Sequence, residues 1–298
     1  MKNAAILKAE GRVKTYLDCI PCFFRQALAA ARMSSADEMV QRHALNSVAL
    51  MVPDIPLNAT PPEIAQQVYQ VVYEITGNKD PYYEAKVRAN QAAMSCYSRM
   101  KDTVSYSKDP LQAACKLSIA GNDIDLGAKD DFGSMVSLIE DSLSVDLDQD
   151  NYAEFKKSIS NASLILYIGD NAGETVFDRI LMEQILQMNK SKIVFAVRKN
   201  PIINDATFED AIKVGLNEAA TIISSGSGAP GTILSQCSAE MLSLYHAADV
   251  IISKGQGNYE SLSGRPENIF FLLKVKCPVI ARDSGFDVGR SILTSRNR

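Results

Sequence analysis

The amino-acid sequence predicts an α/β protein with a mostly parallel sheet, preceded by an all-helical region. In the first 120 or so residues, the apolar positions recur every three or four residues, which is the period of a helix. From Asn151 onward, short β-branched runs alternate with helix-sized segments, the pattern of βαβ units. The polar, acidic interval 141–150 separates the two patterns, which predicts a helical region at 1–150 and an α/β metal-binding domain at 151–298.

Individual elements follow from the same patterns. Apolar periodicity predicts four helices in the first region, at 22–32, 39–52, 62–75 and 82–100. Thr60 is placed to cap a helix that begins at Pro61, where proline fits the first turn. Five buried strands are predicted in the second region, at 163–168, 192–197, 221–224, 249–253 and 268–273. Because the strands are parallel, their carboxyl ends should meet at one edge of the sheet.

The composition argues against several classes of function. The chain has 298 residues, 46% of them hydrophobic, and a net charge of −4. It has no Lys/Arg-rich run, which argues against a nucleic-acid surface. No apolar stretch approaches the roughly 20 residues needed to span a membrane. Six cysteines without secretory features are typical of reduced cytosolic thiols. We therefore expect a cytoplasmic protein without a nucleic-acid or membrane partner.

The most informative segment is Asp170 to Glu174 (Asp-Asn-Ala-Gly-Glu), which lies between a predicted strand and a predicted helix. In an open α/β sheet, ligands bind outside the carboxyl ends of the strands. Two carboxylates and a carboxamide are hard oxygen ligands of the kind that divalent cations prefer. The helix N-terminus that follows favours an anion. The alternative is that Asp170 or Asn171 only caps the helix.

A second acidic segment follows the next strand. Asp205 lies within Asn204-Asp205-Ala206-Thr207, directly before a predicted helix. Together with Asp170 and Asn171, it could hold Mg²⁺ or Mn²⁺ and leave positions for water and a substrate oxygen. The alternative is again a helix cap, made by Asp205 or Thr207.

Two further loops are candidates for phosphate binding. The glycine- and serine-rich segment 224–232 could cradle a phosphate with its backbone amides, or be a flexible solvent loop. It lacks the Gly-Lys-Ser/Thr ending of a P-loop. Lys254 follows a predicted strand and is flanked by Gly255 and Gly257. A cation there would pair with a phosphate during transfer, whereas the alternative is an ordinary solvated lysine.

The N-terminal cysteines have the spacing of a redox or metal-binding pair. Cys19 and Cys22 form a Cys-x-x-Cys, but their flanks are predicted to be helical and no second such motif completes a zinc site. Cys277 could be a third member in space. Buried, inert thiols are the alternative.

Four motifs, in this order, resemble those of the metal-dependent damage-control phosphatases. That family includes a human protein once described as an acidic-residue methyltransferase, and a domain fused to a pantothenate kinase. Gly121 to Asp125 resembles its Gly-Asn-x-x-Asp element, and Asp170 to Glu174 its Asp-Asn-Ala-Gly motif. Asn204 to Thr207 is similar to its second aspartate motif, and Lys254 to Tyr259 to its lysine motif. The resemblance spans most of the chain.

The resemblance implies a fold, a cofactor and a set of site residues. It implies a helical region beside a three-layer α/β/α Rossmann-like domain, and dependence on a divalent metal ion such as Mn, Mg, Co or Ni. It implies that the metal ligands are Asp170, Asn171 and Asp205. It places four residues at the phosphate or substrate: Asn122, Asp125, Lys254 and Asn258. The Cys-x-x-Cys and the segment Lys276-Cys277-Pro278 look like a stand-alone prokaryotic branch of the family.

We therefore expect a divalent-metal phosphatase, a phosphoric monoester hydrolase of small phosphorylated metabolites such as sugar phosphates or damaged cofactor intermediates. Asp170 and Lys254 are the expected catalytic residues, and Glu174 or Asp125 would orient the attacking water. One alternative is a non-enzymatic metabolite- or metal-binding protein that uses the same cleft. A methyltransferase is disfavoured, because acidic residues stand where a cofactor carboxylate would approach. A thiol redox protein is the remaining alternative.

Overall fold

A six-stranded sheet lies between two layers of helices in the computed structural model, which describes residues 13–123 and 132–295. The strand order is β3-β2-β1-β4-β5-β6, the first five strands are parallel, and β6 is antiparallel. The predicted three-layer α/β fold with a mostly parallel sheet is therefore confirmed. The strands are β1 (Leu164–Ile168), β2 (Lys192–Val197), β3 (Thr221–Ser224), β4 (Val250–Lys254), β5 (Ile269–Lys274) and β6 (Ser291–Ser295).

Helices precede the sheet and alternate with its strands. Those within the described residues are α1 (Cys19–Ser34), α2 (Glu38–Met51), α3 (Pro61–Thr76), α4 (Tyr83–Ser95), α5 (Tyr97–Ser105), α6 (Pro110–Ala120), α7 (Phe132–Ser144), α8 (Gln149–Asn161), α9 (Glu174–Met188), α10 (Phe208–Lys213), α11 (Ala239–Ala247), α12 (Gln256–Leu262) and α13 (Pro278–Ser284). The predicted start of α3 is confirmed, because the Thr60 and Glu63 side chains form a capping box ahead of Pro61.

Each face of the sheet has its own hydrophobic core. Along β1, Ile165 and Tyr167 point into one core, and Leu166 and Ile168 into the other. This burial on both faces explains the uninterrupted apolar run of the strand. Helices α1 to α3 contribute to the second core, whereas α5, α6, α8 and α9 contribute to the first. The helices that precede the sheet thus cover both of its faces, and the domain division at residue 150 stays a prediction.

The predicted helix over 82–100 is two helices, α4 and α5, separated at Cys96. There the backbone has φ −101° and ψ 1°, and the Cys96 amide donates to the Ala93 carbonyl in a tighter turn. Ala93 and Met100, on either side of the break, pack into the same core. The apolar periodicity therefore continues across the break and does not reveal it.

The sequence analysis missed the edge strand β6. Its sequence Ser-Ile-Leu-Thr-Ser has only two strongly apolar residues, and it becomes a strand by pairing with β5, where Phe271 lies opposite Thr294. No described helix is long and apolar enough to cross a membrane.

The order of the strands determines where a ligand would bind. The chain proceeds outward from β1 through β2 to β3, and then returns to place β4 on the other side of β1. In doubly wound sheets, such a reversal opens a crevice at the carboxyl ends of the two central strands. Asp170 follows β1 and Gly255 follows β4, so the predicted acidic and lysine motifs flank this crevice.

Candidate active site

The loops after β1 and β2 are joined by backbone hydrogen bonds. The Ala206 amide donates to the Asp170 carbonyl at 2.7 Å, and the Ala172 amide donates to the Asn204 carbonyl at 2.8 Å. Asn171 and Asp205 form an isolated β-bridge. The structure thereby brings together the three residues predicted as metal ligands: Asp170, Asn171 and Asp205.

None of these three side chains is needed as a helix cap. The N-cap of α9 is Gly173, which provides no side-chain cap, so Asp170 and Asn171 do not cap that helix. The N-cap of α10 is Thr207, which forms a capping box with Asp210. The capping alternative is therefore wrong for the side chains of Asp170, Asn171 and Asp205, whereas Thr207, the other residue considered for capping, does cap α10.

Arg198 directly follows β2, and its guanidinium contacts both Asp170 and Asp205. Its Nε donates to Asp205 Oδ2 at 2.7 Å, and its Nη2 lies 3.7 Å from Asp170 Oδ1. The same Nη2 donates to Asn258 Oδ1 at 3.1 Å. Arg198 is buried, and sequence analysis gave it no role. The sequence signal that could have identified it is an arginine directly after an apolar strand, between two acidic segments. A charge in that position is expected to be buried and to need buried partners.

Asn122 connects Asp170 to Glu174. Its side-chain amide donates to Asp170 Oδ2 at 3.1 Å and to Glu174 Oε2 at 2.9 Å. The buried Asn122 Oδ1 has no hydrogen-bond partner among residues 13–123 and 132–295. The neighbouring Asp125, predicted to bind substrate or orient water, lies outside the described residues.

Lys254 occupies a different environment from the predicted one. It is the last residue of β4, is fully buried, and is not among the residues that line the cavity described below. Its ammonium lies 2.7 Å from Glu174 Oε1 and 2.6 Å from Asp178 Oδ1, and it donates to the Ser118 carbonyl. Lys254 thus pairs with buried carboxylates in this structure, and the alternative of a solvated surface lysine is wrong.

Glu174 and Asn258 are also enclosed. Glu174 is fully buried and bonded to Lys254, Asn122 and Asn171. Asn258 is fully buried, and its amide donates to the Gly169 and Lys254 carbonyls. Neither side chain lines the cavity. Both residues support the surroundings of Asp170 in this structure, and their predicted roles at the attacking water and the substrate stay predictions.

Asp178 is a second residue that sequence analysis missed. It lies one turn after Glu174 on α9 and is buried, with the apolar Leu181 and Met182 one turn further on. The pKa of Asp178 is raised to about 6, mainly by burial and against the lowering effect of Lys254. A carboxylate on a buried face predicts a buried cationic partner, and here that partner is Lys254.

Asp170, Asn171 and Asp205 line a cavity of about 650 Å³. Of the other described residues predicted for the site, Asn122, Glu174, Lys254 and Asn258 lie behind its wall. The segment 224–232 contributes Pro230 to the lining, and most of that segment is buried, so it is not a flexible solvent loop. Two cations of the described chain, Arg25 and Lys276, line the cavity as well.

The carboxylates outnumber the cations that form ion pairs with them. We define the buried ionic cluster as six residues joined by the contacts above: Asp170, Glu174, Asp178, Asp205, Arg198 and Lys254. Four carboxylates and two cations leave it two negative charges when all are ionised. Burial, then the charges of Asp205 and Glu174, hold the pKa of Asp170 well above its usual range, although Arg198 and Lys276 lower it. The chemistry of the donors fits a divalent cation.

The arrangement supplies part of a metal site. Among the described residues, no group of three or more His, Cys, Asp and Glu side chains is arranged to hold a metal ion. The candidate set is instead two carboxylates and one carboxamide, from Asp170, Asp205 and Asn171. Such a set suits Mg²⁺ or Mn²⁺, which keep water or substrate oxygens in their remaining positions.

Comparison with known proteins identifies the family. The model of the damage-control phosphatase ARMT1-like domain matches residues 15–292. The chain belongs to the damage-control phosphatase family. A damage-control phosphatase of Pyrococcus horikoshii, PH1575, is 34% identical over 288 residues, which cover 96% of this chain and 99% of that protein. An uncharacterized protein of Methanocaldococcus jannaschii, MJ0202, is 38% identical over 302 residues, 98% of this chain and 99% of that protein.

A solved structure of this family has the same fold. The crystal structure of the DUF89 family protein PH1575 from Pyrococcus horikoshii matches with a TM-score of 0.87 and 32% identity. The match covers 95% of this chain and 99% of that one. The predicted damage-control phosphatase family is thus confirmed, and membership supports a phosphatase role. Metal dependence, the substrate and the cytoplasmic location stay predictions.

Proposed function

We propose that this chain is a divalent-metal-dependent phosphatase that hydrolyses small phosphorylated metabolites, such as sugar phosphates or damaged cofactor intermediates. The observation that carries the proposal is the uncompensated charge of the buried ionic cluster beside the cavity. One surplus negative charge lies at Asp170 and Asp205, which share Arg198, and one at Glu174 and Asp178, which share Lys254. Together they match the charge of one divalent cation. Burying such charges without compensation costs several kcal/mol per ion, so a bound cation would stabilise the cluster.

Each residue has a distinct part in this proposal. Asp170, Asn171 and Asp205 would hold the metal ion, which supplies charge stabilisation at the phosphoryl group and activates water when bound. Asn122 donates to Asp170 Oδ2 and so fixes the rotamer of that carboxylate. Arg198 orients Asp205 in the same way. Lys254 pairs with both Glu174 and Asp178 and offsets one of their two charges.

Lys276 is the cation that we propose for the substrate phosphate. It lines the cavity, and its ammonium donates to the Asn122 carbonyl at 3.2 Å, which places it beside the residue that bonds Asp170. Its charge lowers the pKa of Asp170. Lys276 therefore combines access to the cavity with nearness to the carboxylates, which the enclosed Lys254 does not.

The proposal is tested by a screen of phosphate esters. Protein stripped with a chelator should be inactive, and Mg²⁺, Mn²⁺, Co²⁺ or Ni²⁺, added in parallel, should restore release of inorganic phosphate. Sugar phosphates, nucleotides and cofactor phosphates form the substrate panel. If a phosphate ester bound saturably but was not hydrolysed with any of the four metals, the chain would be a binding protein, and the proposal would be contradicted.

Replacing Lys276, the lysine proposed to bind the substrate phosphate, should affect substrate affinity. We expect Lys276→Met to raise KM at least about tenfold, because a hydrogen bond to a charged group is lost. The affinity for the metal should change little, because Lys276 contributes no metal ligand. Steady-state kinetics and calorimetric metal titration measure the two effects. Lys157→Met, which removes an exposed lysine of α8, is the control for net charge. Equal kinetic constants of the two variants would show that Lys276 does not bind the substrate phosphate.

A glycine beside Asp170 provides a test that changes no charge. A Cβ at Gly255 would lie 1.9 Å from Asp170 Oδ2, and the residue has φ +76°. We expect Gly255→Ala to displace the Asp170 carboxylate and to weaken metal binding about 10- to 100-fold, as losses of supporting contacts do. Gly285→Ala is the matched control, because Gly285 has φ +79° but nothing within 4 Å of its Cβ position. Metal titration that gave both variants wild-type affinity would contradict the assignment of Asp170.

A further inference from the structure

Three thiols line the same cavity as the carboxylates. Cys19 is the first residue of α1, Cys22 lies one turn later, and Cys277 is the N-cap of α13. The fold therefore brings the N-terminal Cys-x-x-Cys together with a cysteine from near the other end of the sequence. The chain's other three cysteines lie elsewhere: Cys96, Cys115 and Cys237.

Each thiol of the Cys-x-x-Cys accepts a hydrogen bond. The Gln26 amide donates to Cys22 Sγ at 3.6 Å, and the Tyr16 backbone amide donates to Cys19 Sγ at 3.5 Å. Burial raises the pKa of the Cys19 thiol to about 11 and also raises that of Cys22, where Arg25 acts in the opposite direction. Cys22 is partly exposed, whereas Cys19 is buried. The two thiols thus differ in access, with Cys22 the one open to a reagent.

Helix geometry places the first two cysteines at the distance of a disulfide. Residues three positions apart in an α-helix have Cα atoms about 5 Å apart. Disulfides span Cα separations of roughly 4.4–6.8 Å. The Cα separation of the pair is therefore within the range that a disulfide spans.

We propose that Cys19 and Cys22 form a thiol oxidation site in the cavity wall, which a low-molecular-weight disulfide converts into a Cys19–Cys22 disulfide. This inference concerns a reaction separate from phosphate ester hydrolysis. It uses only residues outside the buried ionic cluster and outside the proposed metal ligands. It also assigns a role to the Cys-x-x-Cys, which the phosphatase chemistry does not require.

The reaction proceeds in two exchange steps. The Cys22 thiolate attacks one sulfur of the small disulfide, a mixed disulfide forms, and the first small thiolate leaves. The Cys19 thiolate then attacks the Cys22 sulfur, which forms the internal disulfide and displaces the second small thiolate. The two protons of the protein thiols end on the two released thiolates. One external disulfide is thereby reduced to two thiols, and one protein disulfide is formed.

The test is peptide mapping of the full chain after oxidation. The reduced protein is freed of reductant and incubated with oxidised glutathione, and mass spectrometry under non-reducing conditions identifies the bonded cysteines. We expect the peptide that contains Cys19 and Cys22 to lose the mass of two hydrogen atoms, and a dithiol reductant to reverse the change. This readout requires no phosphatase activity, so its failure is distinguishable from failure of the proposed function.

Single substitutions test the order of attack. Cys19→Ser should stop at a stable mixed disulfide on Cys22, whereas Cys22→Ser should leave Cys19 unreacted. Cys237→Ser, at a partly exposed thiol that does not line the cavity, should react as the wild type does. A Cys22–Cys277 bond, a mixed disulfide that persists in the wild type, or unreacted cysteines would each overturn the proposal.

Discussion

Asp170→Asn should lower kcat/KM at least ~10³-fold, on the order of 4 kcal/mol of transition-state stabilisation. The substitution preserves the size of the side chain but removes one of two carboxylates that would hold the metal ion. It should weaken metal binding in calorimetric titration, and excess metal should partly restore turnover. Steady-state kinetics with a phosphate ester at increasing metal concentration measures both effects.

The stability of the same variant distinguishes a metal ligand from a structural residue. Asp170 is buried and belongs to the buried ionic cluster, in which negative charge is in surplus. Without metal, Asp170→Asn should therefore be at least as stable as the wild type, because a buried unbalanced charge has been removed. The rise in Tm on adding metal should shrink. Asp37→Asn, at the exposed N-cap of α2, is the control for loss of one carboxylate. Normal metal affinity and turnover of the Asp170 variant would contradict the proposed site.

Lys254→Met should destabilise the whole chain. Lys254 is fully buried and is paired with Glu174 and Asp178, which are themselves fully buried. Removing one partner of a buried ion pair costs about 3–5 kcal/mol, because the remaining charges lose their compensation. That loss corresponds to a Tm lower by roughly 6 °C or more in a chain of this size. Thermal unfolding of the metal-free protein measures it.

A compensating variant tests the cause of that instability. Adding Glu174→Gln and Asp178→Asn to Lys254→Met removes both unbalanced charges, so most of the lost stability should return. Lys213→Met, at an exposed i,i+4 ion pair of α10, should change Tm little, because solvent screens the attraction between exposed charges. If Lys254→Met unfolded at the wild-type temperature, Lys254 would not be the cation that balances the cluster.

The sequence predicted the elements of the site that depend on local order along the chain. Asp170, Asn171 and Asp205 follow two consecutive parallel strands, and parallel strands present their ends at one edge, so the three residues had to be neighbours. The order and type of the central strands follow in the same way from apolar runs. These features need no knowledge of how side chains pack between layers.

The parts that could not be predicted depend on side-chain direction and on contacts across layers. Lys254 was expected after a strand, but it is the last residue of β4, and its side chain enters the layer of α6 and α9. Its pairing with Asp178 depends on the rotation of α9 about its own axis. Lys276 reaches the cavity because β5 ends beside it, which a single sequence does not reveal.

The position of β4 has a consequence for the synthesis of the chain. β1 lies between β2 and β4, yet β4 is made only after β2, β3 and the helices between them. A nascent chain that ends before β4 has one edge of β1 unpaired, and it buries Glu174 and Asp178 on α9 without the ammonium that compensates them. Such long-range pairing slows folding. The middle of the sheet is therefore completed late, by β4, and chains that end before it should be poor in native structure.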